Sequence, residues 1–368
     1  MTLQYQWITD NTEWQKIMPD WNRLWGQSEG ASIYGDADWM TCWLSAFGDV
    51  GLNVLLGYDG DELVVGAPFI LRQLPWYRGK VRRLEPLGLP FADYPGLLSK
   101  DSHQAIQQCI AGLASLGKWD VTQWTRLSPL YRSKSERDWP YEPITERLYI
   151  QNESGWDAYL KSRKRSFRDD LKRIENRLSR KGKISYVEIT DIAEAQSALD
   201  QLFALHRERW RSIGQESQFD DPKICEFYHS LLSQLLPNGK VHLCGLFLDN
   251  RPIAYHFGYI LNHTLYYYCP TYDVAYSADS PGKLLLKYLV ESSFNQGVKT
   301  IDLGYDRVGY KTWFSTHQEP LFQVSVFSSG FKSKLYQIQG RLNQYGVLQK
   351  ITKSKWIQQM MFKSTVAR

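Results

Sequence analysis

The same punctuation is written twice in this chain of 368 residues. In the first half, Leu52 to Leu71 (LNVLLGYDGDELVVGAPFIL) reads as strand, turn at Asp59-Gly60-Asp61, strand. In the second half, Val241 to Ile260 (VHLCGLFLDNRPIAYHFGYI) repeats this around Asp249-Asn250-Arg251. Asp, Asn and Gly accept the positive φ that tight hairpin turns need, so such a turn between β-rich runs is a hairpin signal. Each hairpin is followed by a helix ending at glycine and then a strand, Cys109 to Trp124 and Leu289 to Gly304. Each is preceded by Trp-bearing helical sequence, Trp14 to Trp25 with Trp39 to Phe47, and Ile192 to Trp210. The pattern predicts an α+β (mixed α/β) protein of two tandem units, 1–150 and 151–330, with a basic C-terminal extension over 331–368.

Totals exclude several classes. A net charge of +5 is mild, and no apolar run approaches the ~18 residues of a membrane span. The first residues lack a basic stretch leading into an apolar core, so no signal peptide is expected. Cys42, Cys109, Cys225, Cys244 and Cys269 are scattered without a CxxC pair. They read as reduced, buried thiols of a cytoplasmic protein, with no metal site expected.

Charge is distributed more tellingly than its sum. Lys161 to Lys183 holds eleven Lys/Arg against three acids, yet Phe167, Leu171, Ile174 and Leu178 keep an apolar stripe at helical spacing. A packed basic helix is expected, beginning at Ser154 as cap with Asp157 three positions on. Arg165 and Arg168 on it are candidate contacts for substrate phosphate, tRNA or an anionic membrane. A solvated face is the plain reading. After Glu319 there are eight Lys/Arg and no acid; that tail either lies on a membrane surface or packs on the domain and frays.

Ser280-Pro281-Gly282-Lys283 opens a helix that is otherwise apolar. Ser280 suits the cap and Pro281 the first helical position. Gly282 costs roughly 1 kcal/mol relative to Ala in a helix interior. Lys283 opposes the helix dipole by about 0.3–1 kcal/mol. A phosphate docked on the exposed amides would reverse both penalties. An ordinary helix start with a solvated lysine is the competing reading. The matching first-half segment has Asp101 as its cap and no glycine, so only the second half keeps an anion site.

These motifs, with ALHRERW, PIAYHFGY, SPGKLLLKYLVESSFNQG, IDLG and YKTW, resemble the GNAT acyltransferase fold in its tandem, FemABX-like form. More narrowly, they look like the acetyltransferase domain associated with bacterial cellulose and exopolysaccharide synthesis. The likeness is good over Gln151 to Val326 and only in outline before it. It implies a degenerate first unit and a catalytic second unit that binds acetyl-CoA. Gly282 would match the last glycine of the phosphate loop, with Ser280 and Ser277 replacing earlier ones and Pro281 and Lys283 beside them.

On that reading Asp273 is the base and Tyr272 the proton donor to sulfur, both at the end of a strand from Thr264. Tyr-Asp at a strand end is equally an ordinary turn. Asp302 alternates with Ile301 and Leu303 and needs a partner, for which Lys311 or Arg209 is expected; it is a structural ion pair or a substrate-orienting acid. Tyr310, Lys311 and Trp313 would line the cleft. His206, Arg209 and Trp210 share one helix face, with His206 either catalytic or structural, and Arg209 and Trp210 candidate substrate contacts. His256 faces core or cleft. The expected activity is transfer of an acetyl or other acyl group to an amine or hydroxyl of a cell-envelope or exopolysaccharide precursor, a small molecule or a lipid- or nucleotide-linked glycan. The alternatives are a FemX-like aminoacyl-tRNA-dependent transferase and a non-catalytic assembly factor with a decayed GNAT fold.

Overall fold

The computed structural model describes residues 3–48, 51–76, 79–116, 119–132, 141–305, 309–330, 333–335 and 337. The expected extension over 331–368 lies almost wholly outside them. In the first half the order is β1 (Gln4–Ile8), α1 (Asn11–Gln27), α2 (Ala37–Phe47), β2 (Leu52–Asp59), β3 (Glu62–Trp76), β4 (Gly79–Pro86), β5 (Leu98–Ser99), α3 (Ala105–Leu116), β6 (Val121–Leu127) and β7 (Glu142–Gln151). The second half continues with α4 (Gly155–Ser162), α5 (Arg165–Ser179), β8 (Ile184–Glu188), α6 (Ile192–Ser212), α7 (Pro222–Leu235), β9 (Val241–Leu248) and β10 (Arg251–Leu261). It ends with β11 (Thr264–Tyr272), α8 (Pro281–Asn295), β12 (Thr300–Asp302), α9 (Gly309–Phe314) and β13 (His317–Phe327).

Both hairpins stand where the turn residues place them, β2–β3 and β9–β10, and Asp249 and Asn250 take φ of 48° and 67°. Aspartates cap the helices that carry the shared core: Asp10, Asp36, Asp191 and Asp221 each accept from amides of the first turn of α1, α2, α6 and α7.

All strands among the described residues form one sheet, ordered β1-β2-β3-β4-β6-β13-β7-β12-β11-β10-β9-β8, with β5 paired to β3. The two halves therefore exchange their closing strands. β13, the last of the described strands, pairs antiparallel with β6 of the first half, while β7, from the end of the first half, pairs with β12 of the second. β13 and β7 pair with each other at the seam.

One face of the sheet carries a core common to both halves, in which Trp14, Trp21, Trp39 and Trp43 meet Phe203, Phe227, Tyr228 and Tyr259. The Trp39 indole donates to the Tyr259 hydroxyl at 3.2 Å, and Lys240 pairs with Asp36 at 2.6 Å across the same boundary. The opposite face carries a separate core in each half, under α3 in the first and under α4, α5 and α8 in the second.

Two parallel contacts are short. β11 follows β12 only over Thr264–Tyr266, and β4 follows β6 only over Arg83 and Leu84. Beyond Tyr266 the pairing of β11 with β12 stops, leaving a wedge past the end of β12; α9 and the start of α8 approach each other, Lys283 lying over Trp313.

Candidate active site

The wedge is closed by α9, a short helix whose successive side chains serve different neighbourhoods. Lys311 turns toward the seam of the two halves. Its ammonium and Asp93 Oδ2 lie 3.7 and 3.9 Å from the point where a Cβ on Gly304 would stand. Gly304 has φ of +82°, a conformation side chains resist, and the bare backbone leaves room for both groups.

Asp302, at the end of β12, is buried beside them. It accepts from the Tyr94 hydroxyl at 3.0 and 2.9 Å and from the Gly304 amide at 2.8 Å, and it pairs with Arg147 of β7 at 2.8 Å. The sequence placed Asp302 correctly as a buried carboxylate needing a partner. A direct partner is Arg147, because strand exchange brings β7 alongside β12; Arg209 lies over Tyr272 instead. Arg147 also holds Glu319 at 3.0 Å.

Asp93 was not foreseen. It sits in the loop after β4, beside the Tyr34 side chain. Desolvation raises its pKa to about 7; the charges of Arg126 and Lys311 pull the other way and Asp302 adds to the rise. A carboxyl half-ionised at neutral pH is suited to move protons. The cleft beside it, about 350 Å³, is lined by Tyr94, Arg126, Arg147, Tyr266 and Asp302 among others. No local motif marks Asp93; only the packing of first-half loop on second-half strand does.

On the other side of α9, Thr312 and Trp313 line a cavity of about 630 Å³ with Ser162, Arg163, Lys164, Phe167, Asp170 and Arg173. Its mouth exists because the basic segment is two helices rather than the one expected. The chain breaks at Arg163-Lys164 between α4 and α5. Ser154 makes no side-chain cap; Asn152 Oδ1 accepts from the Gly155 amide at 3.0 Å instead. The apolar stripe Phe167, Leu171, Ile174 and Leu178 is buried as expected.

Lys283 stands at this cavity, its ammonium 4.5 Å over the Trp313 ring and 3.4 Å from Asp170. The negative partner that its position asks for is thus supplied within the chain. Partial burial works to raise the Asp170 pKa, but hydrogen bonds and charge from Arg173 and Lys283 outweigh it and hold the carboxyl below its usual range. Ser280 does not cap α8. It lies in the left-handed region, φ 57°, with no side-chain cap bond. Gly282 is half-buried, and a Cβ there would meet only Tyr272 Cδ1 at 3.6 Å. Neither φ nor crowding demands glycine at that position. Ser277 is exposed, Pro281 is buried, and the turn between them is anchored by Asp279, which pairs with Arg177 at 3.0 Å and with Lys181.

The other candidates divide. Tyr310, half-buried, has its pKa raised by desolvation, with Tyr267 and the Arg209 charge nearby acting the other way. Tyr272 lies under the Arg209 guanidinium at 4.6 Å, with its ring beside Gly282 at the start of α8. Asp273 is committed elsewhere: it is buried, pairs with Arg251 at 2.7 Å and accepts from the Ala275 amide at 2.9 Å. His206 is buried against Ser217 Oγ at 2.8 Å and stacked on Trp210. Desolvation, with Arg209 and Arg207 nearby, lowers its pKa to about 4. Both residues read as structural. Arg165 and Arg168 line a different groove, with Trp156, Lys172 and Lys287, rather than the Lys283 cavity. His256 is fully buried beneath the sheet and does not reach the cleft.

Residues 165–312 match the model of the acetyltransferase (GNAT) domain. No curated protein matches the chain by sequence. Among solved structures, FemX superimposes with a TM-score of 0.61 at 9% identity, covering 90% of this chain and 99% of that one. The C-terminal DUF2156 domain of an Agrobacterium fabrum protein gives 0.53 at 11% identity, covering 89% and 97%. A conserved protein of unknown function from Bacteroides thetaiotaomicron VPI-5482 gives 0.51 at 12%, covering 88% and 99%. The fold is therefore that of FemX, a mixed α/β architecture of two GNAT-like units in tandem, with the acetyltransferase (GNAT) domain match lying in its second half.

Proposed function

We propose that this protein transfers an acyl group, taking it from acetyl-CoA or a related thioester and giving it to an amine or hydroxyl in the cleft at the seam. The observation that carries this reading is the double-sided α9: Lys311 and Asp93 flank Gly304 on one side, and Trp313 meets Lys283 on the other. The donor's phosphates would lie in the basic cavity against Arg163, Lys164, Arg173, Lys283 and the start of α8. There the helix dipole and the amines act together. The indole of Trp313, 51% exposed, offers a stacking surface for a base.

Acyl transfer to an amine needs that amine deprotonated as it attacks and the leaving thiolate protonated as it departs. Asp93 takes the first proton. Tyr310 or Tyr272 gives the second. Asp302, with Arg147, orients the acceptor. The catalytic unit is residues 151–330, and the first unit, 1–150, is an acceptor platform that contributes Asp93, Tyr94, Arg126 and Arg147. The acceptor is a cell-envelope or exopolysaccharide precursor, handled in the cytoplasm or at the inner face of the membrane.

Replacing Asp93 by Asn should lower kcat by roughly 10²–10⁴-fold while calorimetry still shows acetyl-CoA binding. An unchanged rate would remove Asp93 from the mechanism.

A second reading, aminoacyl transfer from a charged tRNA, is favoured by the groove along α5. There Lys161, Arg165, Arg168, Lys172 and Lys287 surround Trp156. Charged tRNA binding without any heat from acetyl-CoA would select it. Absence of both would leave an assembly factor.

A further inference from the structure

Away from the cleft, three ligand-type side chains meet in the core under α8. His242 and Cys244 lie two residues apart on β9 and so share a face, and His256 of β10 is registered directly opposite Cys244. One ligand atom from each lies within 4.8 Å of the others, and all three residues are buried. Among the described residues, both ring nitrogens of His242 and Nδ1 of His256 lack a hydrogen-bond partner. Buried imidazole nitrogens are ordinarily satisfied, and three orphans on two adjoining rings call for a ligand.

We propose that His242, Cys244 and His256 bind Zn²⁺. Two imidazoles and a thiol suit a borderline-soft ion and not Mg²⁺ or Ca²⁺, which take oxygen. On binding, the Cys244 thiol loses its proton to solvent as the Zn–S bond forms, leaving one net positive charge on the ion and sulfur together. Glu188 balances it. This carboxylate is registered opposite Cys244 on β8, with Oε1 3.8 Å from His242 Nε2, and is held by Ser292 at 2.6 Å and Gln296 at 2.7 Å. A carboxylate behind a ligating histidine fixes its tautomer, so His242 binds through Nδ1 and turns Nε2–H to Glu188. His256 Nε2 accepts from the Tyr268 amide at 3.2 Å. A single long contact of that kind is weak beside the binding free energy of a structural zinc site, and it yields when the ring ligates. Three protein ligands leave the fourth position to water. The ion clips β9 to β10 behind the sheet, with Tyr267 stacked on His256 at 4.6 Å.

The test uses the full chain, stripped with a chelator and titrated with Co²⁺ and then Zn²⁺. The expected result is one ion per chain, intense tetrahedral d–d bands and a thiolate-to-cobalt charge-transfer band that Zn²⁺ abolishes. Cys244→Ser should remove the charge-transfer band, and Glu188→Gln should weaken Zn²⁺ binding by roughly 10–100-fold. His229→Gln, at an exposed His–Asp pair, should change neither. Wild-type protein that takes up no Co²⁺, or takes it up with only weak octahedral bands, would overturn the proposal and leave the cluster bridged by water. This readout needs no variant to fold.

Discussion

Two aspartates a few ångströms apart illustrate how little a residue type says about its role. Asp302 is met by a guanidinium, a hydroxyl and an amide; removing it strands Arg147 and Tyr94 in a tight place. Asp302→Ala should cost about 3–5 kcal/mol, read from urea unfolding midpoints, and Asp302→Ala/Arg147→Met should cost less than the sum of the single changes. Asp93 is desolvated with weaker compensation, so its folded pKa of about 7 lies above the unfolded carboxyl near 4. Between those values the native state keeps a proton the unfolded chain has released. Its contribution to stability is therefore fully present below pH 4 and lost as pH rises to about 7. Asp93→Asn should flatten that fall in denaturation midpoints. In kinetics, kcat/KM should climb with a limb near pH 7 in the wild type. If Asp93→Asn keeps that limb, another group is titrating.

At the scale of elements, the start of α8 and the face of α9 decide donor binding. Gly282 is compelled by neither φ nor space, so its bare backbone is either functional or incidental. Gly282→Ala should leave thermal stability equal or higher, by up to about 1 kcal/mol, and weaken acetyl-CoA in calorimetry. Gly282→Glu should abolish binding without unfolding. Unchanged affinity in the alanine variant would make the glycine incidental. Trp313→Ala should weaken acetyl-CoA by several-fold, consistent with about 1 kcal/mol for a base stacked on an aromatic ring. It should leave stability almost untouched, because the ring is half exposed.

For the molecule as a whole, strand exchange makes the halves mutually dependent. A fragment of residues 1–150 lacks β13, so β6 keeps only its short contact with β4 and β7 is left without β12 and β13, and unpaired edges invite aggregation. Such a fragment should be insoluble or bind a synthetic 317–327 peptide. The intact chain should unfold in one transition by both far-UV and tryptophan signals, because the core containing Trp39 and Phe227 spans the seam. Two separated transitions would show that the halves hold independently. The same exchange explains the site's composition, since Arg147 from β7 and Asp93 from the first half meet Asp302 and Lys311 from the second.

What could be read without coordinates was local chemistry. The Asp249-Asn250 hairpin, the buried stripe of α5, the helix opening at Pro281 and the buried carboxylate at Asp302 all follow from turn preferences and periodicity within a few residues. The break at Arg163-Lys164, the partner of Asp302, the role of Asp93 and the meeting of His242, Cys244 and His256 did not. Each depends on atoms brought together from distant positions or adjacent strands, where spacing along the chain carries no sign of contact. Periodicity reports which face a residue takes; the pairing of strands decides what it finds there.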